Sequence, residues 1–151
     1  MKGFVLAPSA GGQARRSILL LAFVLAALMI VQAQTTSSVW DGVYSADQAK
    51  RGADRYADSC ASCHGDNLEG EGQAPPLMGK EFTDQWNNQT VGDLFDIVKG
   101  TMPADRPGSL TRQQNSEVLA FLFQKNGYPA GKTDLSAEVA DLKKIKIQAK
   151  K

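Results

Sequence analysis

The sequence predicts an all-α fold of three to four helices joined by glycine- and proline-rich loops. Three observations predict it. Apolar residues recur at helical spacing in several stretches, each opened by a capping residue. No run shows the length and alternation of a strand. One short motif, Cys60-Ala61-Ser62-Cys63-His64, closes the first helical stretch and holds both cysteines and the only histidine of the 151 residues.

That motif carries the chemistry. C-x-x-C-H is the pattern of c-type haem attachment. Each thiol can form a thioether to one porphyrin vinyl group, and the adjoining imidazole can bind the iron. A thioredoxin-like site would need a βαβ context. A structural zinc would need four Cys or His ligands, and only three stand here, adjacent in sequence. The helices are therefore expected to wrap one covalently attached haem c, bound through Cys60 and Cys63.

Lys2, Arg15 and Arg16 precede an unbroken apolar run of 14 residues, Ile18 to Val31, and then Val31-Gln32-Ala33. This is the layout of a secretory signal over residues 1–33. The run is shorter than the ~20 apolar residues of a bilayer span. A periplasmic, exported protein is expected; the alternative is an anchor retained on the outer face of the inner membrane. Residues 34–44, with Thr35, Thr36, Ser37 and Ser38, read as a linker or leader.

The main domain is expected over residues 45–131. Ser45 to Gln48 fits a capping box, and a helix should run from Ala46 to about Ser59. Gly52 is costly inside a helix unless another backbone needs close approach, so a second helix is expected to cross there. Residues 65–79 are too rich in glycine and proline for a regular element. Phe82 and Trp86 fit a short turn of helix. Thr90 and Asp93 open the next helix, with Val91, Leu94, Phe95 and Val98 as its apolar stripe and Gly100 as its stop. Thr111 and Gln114 form a second capping box for a helix ending at Asn126–Gly127. It is the most apolar helix after the leader and the natural partner for Gly52. The basic extension 132–151 keeps a stripe of Leu135, Val139, Leu142 and Ile145 and is expected to be a surface helix that frays. A docking element for an acidic partner is its other reading.

Charge excludes one class of partner. The whole chain is +1, but without Lys2, Arg15 and Arg16 it holds 14 basic against 16 acidic residues. The tail from Lys132 has six lysines against Asp134, Glu138 and Asp141, which leaves the body at −5. An acidic body does not suit nucleic acid, which demands a clustered basic face.

With a single histidine, His64 as one axial ligand leaves methionine as the usual second choice, which raises the reduction potential. Met1 and Met29 lie in the expected signal, so Met78 and Met102 remain. Met78 is 14 residues after His64, and that stretch also turns through Pro75 and Pro76. Met102 is 38 residues on, beyond a helix and beside Pro103. Met102 is the better candidate, with His64, for the iron.

Residues 45–131 resemble class I cytochromes c. They are most similar to small bacterial cytochromes, and cytochrome domains, that serve quinone-dependent (PQQ-type) alcohol dehydrogenases. The matching pieces are Gly52-x-x-x-Tyr56-x-x-x-Cys60-x-x-Cys63-His64-Gly65, Ala74-Pro75-Pro76-Leu77, Thr101-Met102-Pro103, Arg106-Pro107-Gly108-Ser109-Leu110 and Asn126-Gly127-Tyr128-Pro129. The first and third are specific to class I cytochromes; the others point more weakly to the subgroup. The resemblance implies thioethers at Cys60 and Cys63, proximal His64 and distal Met102. It implies that Pro75 lends its carbonyl to the histidine, that Leu77 packs on the haem, and that Trp86 and Arg106 are candidate propionate partners. It implies a single-haem electron carrier and not an enzyme, possible redox partners being a quinone-dependent dehydrogenase as donor and an oxidase or another cytochrome as acceptor. Such a carrier would work as a monomer or as a subunit of a dehydrogenase complex. The alternative is a haem enzyme or gas-binding sensor with an open sixth iron position.

Overall fold

The computed structural model describes residues 36–149. The expected signal at 1–33 lies outside them. No described helix is long and apolar enough to cross a membrane.

Helix α1 spans Ala46–Ser59, and the Ser45 hydroxyl accepts the Gln48 N–H at its start. The single turn α2 (Ala61–His64) follows directly. Helices α3 (Gly79–Trp86), α4 (Val91–Thr101) and α5 (Arg112–Lys125) come after the loop of residues 65–78. Reciprocal capping boxes open α4 at Thr90/Asp93 and α5 at Thr111/Gln114. Gly100 does not stop α4. The helix runs through it to Thr101, and Met102 is the cap. One interior glycine costs only about 1 kcal/mol, less than this buried stripe returns.

The tightest packing joins α1 to α5, and Gly52 is the crossing point. A Cβ on Gly52 would overlap the Glu117 carbonyl and meet Phe121 Cβ at 3.0 Å. Nine successive residues of α5, Asn115 to Phe123, are buried. Arg51 ties the crossing from outside, donating to Glu117 at 3.0 Å and to Asp134 at 2.6 Å.

Gln48 departs from the capping-box expectation. Its side chain does not reach back to Ser45. It is fully buried and donates to Ser116 Oγ and to Leu135 O, each at 3.0 Å, while its own oxygen accepts the Leu135 N–H at 2.6 Å. An amide has donors and an acceptor to satisfy an extended backbone on both sides.

The ends correct the linker and tail readings. Ser37–Ser38 is a short strand, β1, followed by a turn of 3-10 helix over Val39–Asp41. The tail is not a fraying surface helix. It has one helical turn, α6 (Val139–Leu142), and then β2 (Ile145–Lys146), which pairs in parallel with β1, Ser37 against Ile145. Leu135, Leu142, Ile145 and Ile147 are buried. A helix would present one stripe to one surface, whereas this segment spans three: α4, the 87–90 turn and the leader. Backbone bonds follow the same route, Ile147 N to Gln89 O at 2.9 Å and Asn88 N to Ile147 O at 2.8 Å. Two tail lysines also turn onto the protein, Lys143 to Asp96 and Lys146 to Asn88 O, while Lys144 pairs within the tail with Asp141. Leader and tail thus share the compact unit of the main domain.

Candidate haem site

The local sequence brings the motif together at the end of α1. Cys60 caps α1 and precedes α2, its N–H donating to Tyr56 O. Cys60 is half-buried, Cys63 is exposed, and no disulfide joins them. Burial, and then the neighbouring Cys63, push the Cys60 thiol up to about 11. His64 closes α2 with 8% of its surface exposed.

The loop after His64 folds back under it. His64 Nδ1 lies 2.9 Å from the Pro75 carbonyl oxygen. That carbonyl can only accept, so Nδ1 carries the proton and Nε2 is left with a free lone pair. Leu68 anchors the loop from inside. It is fully buried although its φ is +62°, and its carbonyl accepts the Leu77 N–H at 2.9 Å. Burying a leucine returns about 1.5–3 kcal/mol, enough to offset the ~1–2 kcal/mol of a left-handed residue.

The other expected residues are placed as follows. Leu77 is half-buried and packs against the core. Trp86 is a core residue with 6% exposure. Arg106 is exposed and its guanidinium donates to Asp105 at 3.1 Å. Met102 is half-buried in extended backbone and is held from both sides, its N–H by Val98 O at 2.9 Å and its carbonyl by Gly108 N at 3.3 Å. Met78 is exposed, at 37%.

Two residues that the sequence reading quoted only as parts of matching pieces, with no role, also build the site. Asn126 donates to Leu77 O and accepts from Gly79 N, each at 3.0 Å, and so pins the segment after Pro75 to the end of α5. Its signals were its place at a helix end before glycine and in the matching piece Asn126-Gly127-Tyr128-Pro129. The Tyr56 hydroxyl donates to Gly65 O at 2.7 Å. Burial, with Cys60 and two acidic neighbours adding, raises its pKa, so it remains a donor.

The donor set fits haem c. Two thiols lie beside one imidazole whose remaining lone pair is Nε2, with the ring orientation set by Pro75. Among the described residues no three His, Cys, Asp or Glu side chains converge to hold a bare ion.

A family model described as "Cytochrome C oxidase, cbb3-type, subunit III" matches residues 47–122, half of the chain. No curated protein matches it. Among solved structures, the chain is similar to one in the crystal structure of the sulfane dehydrogenase SoxCD from Paracoccus pantotrophus, at 26% identity and a TM-score of 0.47. The alignment covers 71% of this chain and 61% of that one, less than two thirds of its length.

Proposed function

The chain belongs to the family described as cytochrome c oxidase, cbb3-type, subunit III, its fold is that of a class I c-type cytochrome, and on that premise we propose that it is a single-haem electron carrier. Cys60 and Cys63 would hold the haem by thioethers, and His64, through Nε2, and Met102 would bind its iron. Haem c supplies one reversible electron at its iron. The chain's own part is to keep both ligands fixed, exclude water from them and leave an edge open to partners. The observation that carries this reading is the His64–Pro75 bond. It fixes the imidazole's tautomer and orientation, as an outer partner of a metal-bound histidine does.

The supporting positions follow from the same reading. Leu77 would pack on the haem, and Trp86 and Arg106 would serve its propionates, Arg106 on leaving Asp105. Residues 1–33 direct export to the periplasm, and residues 36–149 form the working domain. Electrons arrive from a dehydrogenase, a quinone-dependent one on the sequence resemblance, and leave to an oxidase or another cytochrome. The acidic body orients the carrier towards basic partner surfaces, an attraction that salt weakens.

Purified full-length protein tests this. The expected result is a mass increased by one haem, lost in a Cys60→Ala, Cys63→Ala double variant, with reversible one-electron reduction. Rapid carbon monoxide binding by the reduced protein would instead reveal an open sixth position and overturn the carrier reading.

A further inference from the structure

The backbone beside His64 is tied at several points. Gly65 N–H donates to Ala61 O at 2.9 Å, and Gly70 N–H to His64 O at 2.8 Å. The Gly65 carbonyl accepts twice, from Leu68 N–H at 3.2 Å and from the Tyr56 hydroxyl at 2.7 Å. Of these bonds, only the one from Tyr56 comes from a side chain, and it is the shortest. Its ring has little freedom. It is 2% exposed, and it tilts on Phe121 of α5 with 5.2 Å between centroids. Gly52, one turn earlier on α1, is what lets α5 come so near. Gly65 itself has φ +78° and ψ 153°, a backbone region that only glycine enters at low cost, so this peptide has no intrinsic preference to hold it.

We propose that Tyr56 is a positioning residue for His64: its hydroxyl fixes the Gly65 carbonyl, and through that peptide the angle at which the imidazole meets Pro75 O and presents Nε2. The inference rests on the reading of His64 as an axial ligand. The helix crossing reaches the ligand through Phe121, Tyr56 and Gly65. Without the hydroxyl, Gly65 O keeps only the longer bond from Leu68, and the loop can swing. The Nδ1–H bond to Pro75 then weakens, the imidazole becomes a poorer electron donor, and the oxidised form loses stabilisation.

The test compares Tyr56→Phe with Tyr44→Phe in the haem-loaded full chain. Tyr44 is a matched control. It is 1% exposed, and its hydroxyl donates to the Tyr128 carbonyl, also at 2.7 Å. Both variants should lower the denaturant midpoint. Only Tyr56→Phe should raise the midpoint potential, shift the His64 ring-proton resonances and speed exchange of the Gly70 amide several-fold. A potential and ring resonances unchanged in Tyr56→Phe, with a stability loss like that of Tyr44→Phe, would reduce Tyr56 to a structural residue. A wild-type chain carrying no thioether-bound haem would overturn the axial reading and this inference together, an outcome visible before either variant is made.

Discussion

Gly52 of α1 faces the Glu117 carbonyl of α5 so closely that no β-carbon fits between them. Gly52→Ala must push the helices apart or bend one of them. Overpacking of this kind costs about 1–3 kcal/mol, and here it acts at the main helix crossing. Equilibrium denaturation should show a lower midpoint. The change should also disturb the Phe121–Tyr56 contact. Wild-type stability in this variant would mean that the helices cross elsewhere.

Gln48 carries the junction between α1, α5 and the tail. Gln48→Leu keeps the volume but leaves the Leu135 N–H buried without a partner and takes one donor from the Leu135 carbonyl. An unsatisfied buried group costs about 1–3 kcal/mol. The expected outcome is a loss of that size, with faster amide exchange at Leu135 than in the wild type. Protected Leu135 exchange in the variant would show that the tail is held by its apolar residues alone.

The strap from Ile145 to Ile147 should contribute to stability as core does. Ile147 is fully buried. Ile147→Ala should cost about 2–4 kcal/mol, read by denaturant titration. Lys143→Ala and Lys144→Ala, whose ion pairs are half-exposed, should each change stability by less than about 1 kcal/mol. If charge and not burial holds the strap, that order reverses.

Acid should destabilise the fold through two carboxylates. The Thr90 hydroxyl and backbone N–H both donate to Asp93 and hold it below the usual carboxylate range. The Ser45 hydroxyl, and then Arg51, do the same for Asp134. Such a carboxyl binds fewer protons folded than unfolded. Its contribution is full above the unfolded value, about 3.9, and is lost as pH falls through the lower folded value. Stability should therefore fall below about pH 4. In an Asp93→Asn, Asp134→Asn variant it should be lower near neutrality and flatter against pH on the acid side. An acid limb as steep as the wild type's would assign the loss to other groups.

Much of this fold was legible because its signals are local. Ser45, Thr90 and Thr111 cap the helices they mark, and Gly52 in a helix interior pointed to a crossing that α5 supplies. The tail was not legible, because its stripe of Leu135, Val139, Leu142 and Ile145 has helical spacing, while the surfaces it covers are distant in sequence. Gln48 was misread for the same reason: a capping-box glutamine and a buried bridging glutamine look alike until Leu135 is placed beside it. At the site, Cys60, Cys63 and His64 announce their chemistry by type and spacing. Tyr56 and Asn126 stood in the matching pieces, but their partners are backbone groups, which no residue type announces.

We propose that His64 and Met102 hold one haem iron between them. It is tested most directly by the near-infrared spectrum of the oxidised protein, where methionine bound to ferric haem gives a charge-transfer band. The band should be present in the wild type and in Met78→Ala, and lost in Met102→Ala. A band that persists in Met102→Ala, or is absent from the wild type, would contradict it.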